Sequence, residues 1–143
     1  MTEEVAASFD YEIEKDDFKI AGSASSHIKK ILKQLGLPNP LIRRASIIAY
    51  ELEINLVIHT FGGSMRLEVH PDRIVILTED VGPGIEDVDQ ALIEGYSTAN
   101  DKAREMGFGA GMGLPNIRRC SDDFSIRSKL GEGTWIRSEI HVG

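Results

Sequence analysis

A two-layer α+β sandwich, with helices on one face of a mixed sheet, is the fold class that this sequence predicts. Three observations predict it. Segments with a two-residue apolar period lie near the start, in the middle and at the end of the chain, so distant pieces must share a sheet. Segments with a helical period lie between them and carry apolar stripes that need a layer to cover. No repeat, low-complexity tract or linker divides the 143 residues, about one domain's worth of chain, so residues 1–143 are expected to form a single domain.

The elements follow in order. Phe9, Tyr11 and Ile13 alternate with Asp10, Glu12 and Glu14, the pattern of a half-exposed strand. Ser25 or Ser26 can cap a helix that runs to about Gly36, with Ile28, Ile31, Leu32 and Leu35 on one stripe. After Pro38-Asn39-Pro40, residues 41–60 read as one long helix stopped by Gly62-Gly63. Met65, Leu67 and Val69 alternate again, Pro71-Asp72 turn the chain, and Arg73 to Glu79 completes a hairpin. That second strand is apolar on both faces through Ile74-Val75-Ile76-Leu77, which predicts a central place in the sheet. A short helix over 86–94 and a mobile loop from Gly95 to Gly111 are expected next. The remaining elements are a helix from Leu114 to Asp122, a strand from Phe124 to Ser128 and a strand from Trp135 to Val142.

Composition removes several classes of function. Lys and Arg number 16 against 23 Asp and Glu, a net charge of −7, which argues against binding a nucleic-acid backbone. A small phosphate-bearing ligand held by backbone amides and a metal stays open. The single cysteine, Cys120, excludes an internal disulfide and a cysteine-based zinc cluster. The four histidines show no ligand spacing, so no structural metal is expected. Apolar runs are too short to span a bilayer, and the opening Met-Thr-Glu-Glu carries no basic-then-apolar leader. The expectation is a soluble, cytoplasmic protein.

Wound at about 100° per residue, the long helix places Arg43, Ser46, Tyr50 and Glu53 on its polar side. Glu51 and Asn55, four residues apart, project almost opposite Glu53, among Ile47, Ile48 and Ile58. A carboxylate on the core side needs a partner, water or a cavity. One reading is a structural Glu–Asn hydrogen bond. The other is a site floor, where Glu51 acts as a base and Asn55 offers its amide oxygen to a hard cation such as magnesium, which draws other ligands from water and phosphates.

Ten of the 14 glycines fall between Gly82 and the C-terminus. Asp80-Val81-Gly82-Pro83-Gly84 follows the most apolar strand; its carboxylate suits an exocyclic amine, and its glycines would let a flat ring approach. Any strand end can carry such a turn. Gly107, Gly109, Gly111 and Gly113 alternate before Leu114-Pro115, and Pro115 suits the first turn of a helix. Glycine-loop amides and a helix start together suit phosphates, although a flexible linker is the plain alternative. No G-K-[ST] is present and no strand precedes the run, which excludes a P-loop and a dinucleotide fingerprint. Gly131-Glu132-Gly133-Thr134 on its own reads as a hairpin turn.

Together and in this order, the motifs resemble the GHKL ATPase superfamily, which has the Bergerat nucleotide-binding fold and includes gyrase, histidine kinases and mismatch-repair ATPases. Glu51-x-x-x-Asn55, Asp80-x-Gly82-x-Gly84, Gly109-x-Gly111-x-Gly113-Leu114 and Gly131-x-Gly133-Thr134 match its four boxes over nearly the whole chain. The resemblance implies ATP and Mg2+ as cofactors, with Asn55 on the metal and Asp80 on the adenine amine. It implies the third box, to Leu114, closing over the phosphates as a mobile ATP lid, and Thr134 supporting the adenine site.

Within the superfamily the chain is most similar to the small anti-sigma regulatory factors, which are serine/threonine protein kinases. At this length, neither the helix pair of a histidine kinase nor a gyrase-type transducer domain is expected. Glu51 would then take the proton of an acceptor serine on a small antagonist, usually a STAS domain, in a partner switch. The Gly113-Leu-Pro-Asn-Ile-Arg-Arg119 segment is closer to switch kinases than to sigma-binding members, so a sigma-factor partner is the weaker expectation. Lys102 or Arg104 of the lid is expected at the γ-phosphate. Two alternatives belong to other classes: a non-catalytic ATP- or ADP-gated binding regulator, and a detached histidine-kinase catalytic domain. No nucleic-acid or membrane partner is expected, and the first helix offers a surface for a homodimer or partner.

Overall fold

The computed structural model describes residues 7–14, 21–59, 62–82, 84, 88, 92 and 113–142. In chain order these form β1 (Ala7–Ile13), α1 (Ser23–Gln34), α2 (Asn39–His59), β2 (Gly63–Val69), β3 (Arg73–Asp80), α3 (Gly113–Cys120), β4 (Asp123–Lys129) and β5 (Gly133–His141). The sheet runs β1-β2-β3-β5-β4, which puts β3 in the middle, as its two apolar faces predict. On the helix-bearing face Ile74 and Ile76 enter the core, while Val75 is buried on the opposite face.

All four strand pairings are antiparallel, so the sheet among the described residues is antiparallel where a mixed one was expected. The crossovers explain the difference. Two helices separate β1 from β2, yet β1 returns beside β2 in the opposite sense, with Phe9 against Leu67 and Tyr11 against Met65. The α+β class itself stands, with its helices on one side.

α2 is the centre of the helical layer, with α1 on one flank and α3 on the other. Ala45, Ile48, Leu52 and Leu56 of α2 meet Ile28 and Leu32 of α1, Ile117 of α3 and Met65, Ile76 and Ile136 of the sheet in one core. α2 starts earlier than its prolines suggest: the N–H groups of Leu41 and Ile42 donate to the Pro38 carbonyl, and Pro40 sits in the first turn, where its missing N–H is harmless. α3 ends before the expected Asp122, whose carboxylate instead accepts from the His141 N–H at 2.8 Å. Ile28, Ile31 and Leu32 are buried, so the α1 stripe is spent on the core, and only Leu35, 51% exposed, is left for an outer surface. Residues 88 and 92 are all that is described of the helix expected over 86–94, joined by the Leu92 N–H to the Val88 carbonyl. The lid, with Lys102 and Arg104, lies outside the described residues.

Candidate functional site

The two carboxylates of α2 part company in the structure. Glu53, expected on the polar side, is 2% exposed. Its Oε1 accepts the Ser25 N–H at 2.9 Å and its Oε2 the Ala24 N–H at 3.2 Å. These are orphan donors at the start of α1, whose N-cap Gly22 supplies no side-chain bond. The expected cap by Ser25 or Ser26 is therefore replaced by a carboxylate from the next helix. A negative group suits the positive end of a helix. The helical wheel missed this because α1 lies over that side of α2. The exposed strip is narrow and holds Arg43, Ile47 and Tyr50.

Glu51 and Asn55 are both half-buried, and Glu51 lies near enough to α3 for its charge to act on Cys120. Burial raises the Glu51 carboxyl above the ordinary glutamate range. Its charge reaches Cys120 at the end of α3, whose thiol is pushed up by burial first and by Glu51 among lesser causes. Arg44 fixes that helix end, donating from Nε to the Cys120 carbonyl at 2.9 Å and from its terminal nitrogen to Asp122 at 3.0 Å. α3 begins at Gly113, with Leu114 buried beneath it. The alternating-glycine box thus reaches the described structure through Gly113 and Leu114, while Gly109 and Gly111 lie outside the described residues.

The remaining two boxes meet across the sheet. Asp80, 4% exposed at the end of β3, is raised by burial and lowered in part by the Thr134 N–H, which donates to its Oδ1 at 3.1 Å. Gly133 lets β5 cross this point: its φ is +136°, and a Cβ there would stand 2.1 Å from the Asp80 carbonyl oxygen. Gly84, with φ +80°, packs so tightly on the next hairpin that a Cβ would come 2.5 Å from the Lys129 carbonyl oxygen. Gly82 is buried, and its N–H donates to the Glu132 carbonyl. The glycine turn after β3 and the turn before β5 therefore form one unit, so Gly131 to Thr134 is more than a hairpin turn. Thr134, 3% exposed, pairs its hydroxyl with that of Ser128 at 2.8 Å.

The sequence signal missed Glu53, hidden by the wheel, and Ser128, an ordinary strand serine until β4 and β5 are placed in register. It also missed a cluster on the helix-free face. His141 Nε2 lies 2.9 Å from Asp123 Oδ2, with Glu139 beside them, close enough for these ligand atoms to share an ion. Both Glu139 oxygens are already engaged, by Arg73 at 2.9 Å and Arg137 at 3.1 Å.

Glu51 and Asn55 lie one turn apart on α2, and Asp80 and Thr134 at the adjoining ends of β3 and β5. The buried acceptor at Asp80 suits a flat base that bears an amine. The start of α3 offers N–H donors suited to phosphate.

Comparison with known proteins identifies the family. Residues 42–143 match the model of a family described as histidine kinase-, DNA gyrase B-, and HSP90-like ATPase. The serine/threonine-protein kinase RsbT of Bacillus subtilis (strain 168) is 32% identical over 114 residues, 77% of this chain and 80% of that one. An anti-sigma F factor of Caldanaerobacter subterraneus subsp. tengcongensis is 30% identical over 68% of this chain, which spans 60% of that relative's length. Among solved structures, a chain of the SiaB–SiaC complex from Pseudomonas aeruginosa superposes with a TM-score of 0.62 at 14% identity, over 95% of this chain and 89% of that one. That likeness carries the fold. No described helix is long and apolar enough to cross a membrane.

Proposed function

The chain belongs to the family of histidine kinase-, DNA gyrase B- and HSP90-like ATPases, and from this premise we propose that it is an ATP- and magnesium-dependent serine/threonine protein kinase. Its substrate is a serine on a small antagonist protein, of STAS type, in a partner switch. The observation that carries this reading is Glu51. It is half-buried on the α3 side of α2, in one row with Asn55, and burial raises its proton affinity. A general base for a serine hydroxyl needs that poise, held close to the transferring phosphoryl group. A regulator that only binds nucleotide needs no such group. Likeness to a relative named as a serine/threonine kinase supports the same assignment. Likeness to anti-sigma F factors supports a contact with a sigma factor as a further role.

In this reading Asp80 accepts the exocyclic amine of adenine, and Thr134 holds Asp80 through its backbone N–H. Gly82 and Gly84 keep the glycine turn close to the β4–β5 turn and clear of the ring. Gly109, Gly111, Gly113 and the amide of Leu114 serve the phosphates. Asn55 would hold magnesium through its amide oxygen, and the ion when bound supplies charge neutralisation at the phosphates. Glu51 removes the serine proton as the hydroxyl attacks.

Incubation with γ-labelled ATP, magnesium and STAS-domain candidates tests this reading. The expected product is one acid-stable phosphoserine on the antagonist. An acid-labile phosphohistidine, or nucleotide-dependent binding with no transfer, would replace it with one of the two alternatives.

A further inference from the structure

Four of the 16 basic side chains come as two adjacent pairs, Arg43-Arg44 and Arg118-Arg119, and the fold brings the pairs together. Arg44 of α2 donates to the Cys120 carbonyl at the end of α3. Burial raises the Cys120 thiol, Arg44 and Arg119 pull it back, and Glu51 adds to the rise, so both cations and that carboxylate lie within electrostatic reach of one sulfur. Asp122 takes Arg44, and Arg119 donates to Asn116. Arg43 and Arg118 are exposed, and among the described residues neither has a hydrogen-bond or ion-pair partner. Helix electrostatics accounts for only part of this. Arg118 and Arg119, in the last turn of α3, suit its negative end. Arg43 stands near the start of α2, the end that favours anions, and gains nothing there. Ile47 and Tyr50 continue the strip from Arg43, each 38% exposed. Apolar and aromatic side chains beside arginines have the composition of a protein interface.

We propose that the outer strip of α2 and the arginines of α3 dock the protein substrate through an acidic surface beside its acceptor serine. Carboxylates of the partner meet Arg43, Arg118 and Arg119, and an apolar contact covers Ile47 and Tyr50. The proposal rests on the reading of Glu51 as the base. The serine must reach that carboxylate, and the strip is the surface next to it, with Tyr50 adjacent in sequence and Ile47 one turn before. Charge sets the chemistry of the occupant. The chain carries −7, so an acidic partner meets repulsion from the molecule as a whole and attraction at this patch, which orients its approach.

The probes are the STAS-domain candidates of the transfer assay, titrated calorimetrically against the full chain with magnesium and ADP, at low and at high salt. Binding to the wild type should weaken as salt rises. Arg43→Glu and Arg118→Glu should each raise the Kd for the partner by about tenfold and flatten its salt dependence, with ATP affinity unchanged. Arg43→Lys and Arg118→Lys should keep most of the affinity. A merely structural role would not move the salt dependence. If a reversal fails to fold, Arg43→Gln or Arg118→Gln takes the same measurement with a smaller shift. An unchanged Kd in both reversals overturns the proposal, as does binding that ignores salt. A parallel loss of ATP affinity also overturns it, because the arginines then serve the phosphates. Glu51→Gln separates the two levels: it should bind the partner normally and transfer nothing. If a candidate binds through the arginines and the wild type never phosphorylates it, the kinase reading falls and the docking surface stands. If transfer proceeds and the reversals leave partner binding alone, the docking surface falls by itself. If no candidate binds, the partner reading falls and the proposal falls with it.

Discussion

Glu51 and Glu53 stand two residues apart on one helix and do opposite work. Glu53 is enclosed, and two backbone N–H groups of α1 satisfy its oxygens. Glu51 is half-buried with its proton affinity raised by burial alone. The first carboxylate holds the fold together, and the second, in the function proposed above, is kept for chemistry. On that proposal the two flanks of α2 divide structure from function. Each substitution below should move one property and spare the other.

The largest effect is expected at Glu51. Glu51→Gln keeps shape and removes the base, so phosphoryl transfer should fall by about 10²–10⁴-fold with ATP affinity retained. Stability should change the other way. A carboxyl whose folded pKa is raised stabilises fully below its unfolded value, and that contribution is lost as pH rises through the folded value. At neutral pH an ionised Glu51 therefore costs stability, and Glu51→Gln should unfold at an equal or slightly higher denaturant concentration. The advantage should vanish in acid, where the wild-type group is protonated. Unchanged transfer would remove the base assignment, and a clear loss of stability at pH 7 would make Glu51 a structural residue.

Glu53→Ala should do the reverse. Two hydrogen bonds to orphaned amides at a helix start disappear from a buried site, at a cost of about 2–3 kcal/mol in denaturant unfolding. Glu53→Gln, which keeps acceptor oxygen on one side only, should lose about 1 kcal/mol. Transfer by the folded fraction should stay near wild type in both. If either variant folds well and transfers poorly, the two flanks are coupled and the division fails.

This division was only half legible in the sequence. The helical period put Glu51 and Asn55 in one row, and apolar runs placed β3 at the centre, because both signals are local. Glu53 looked solvent-facing because a wheel contains one helix and knows nothing of α1, which covers that side. The parallel component expected of the sheet had no local signal at all, since strand direction depends on how long connections return. At the base end, the boxes were visible as glycines and an Asp, but their meeting was not. Gly133 crossing over the Asp80 carbonyl and Ser128 facing Thr134 depend on the register of β5 against both neighbours.

The smallest predicted effect tests whether the α3 flank is held for function as well as packing. Arg44 ties α2 to the last carbonyl of α3 and to Asp122, through a pair whose side chains are 37% and 34% exposed. Such exposed pairs are weak, and a cation at a helix end adds little more, so Arg44→Ala should cost less than about 1 kcal/mol in stability. Its effect on ATP should be disproportionate. α3 begins at the glycine box, and a short helix released at its far end shifts the amides at its start relative to Glu51 and Asn55. The KM for ATP should therefore rise several-fold in a protein that unfolds almost normally. An unchanged KM would mean that Ile117 and Leu114 hold α3 by packing alone, and that the ion pair is ornamental to the site.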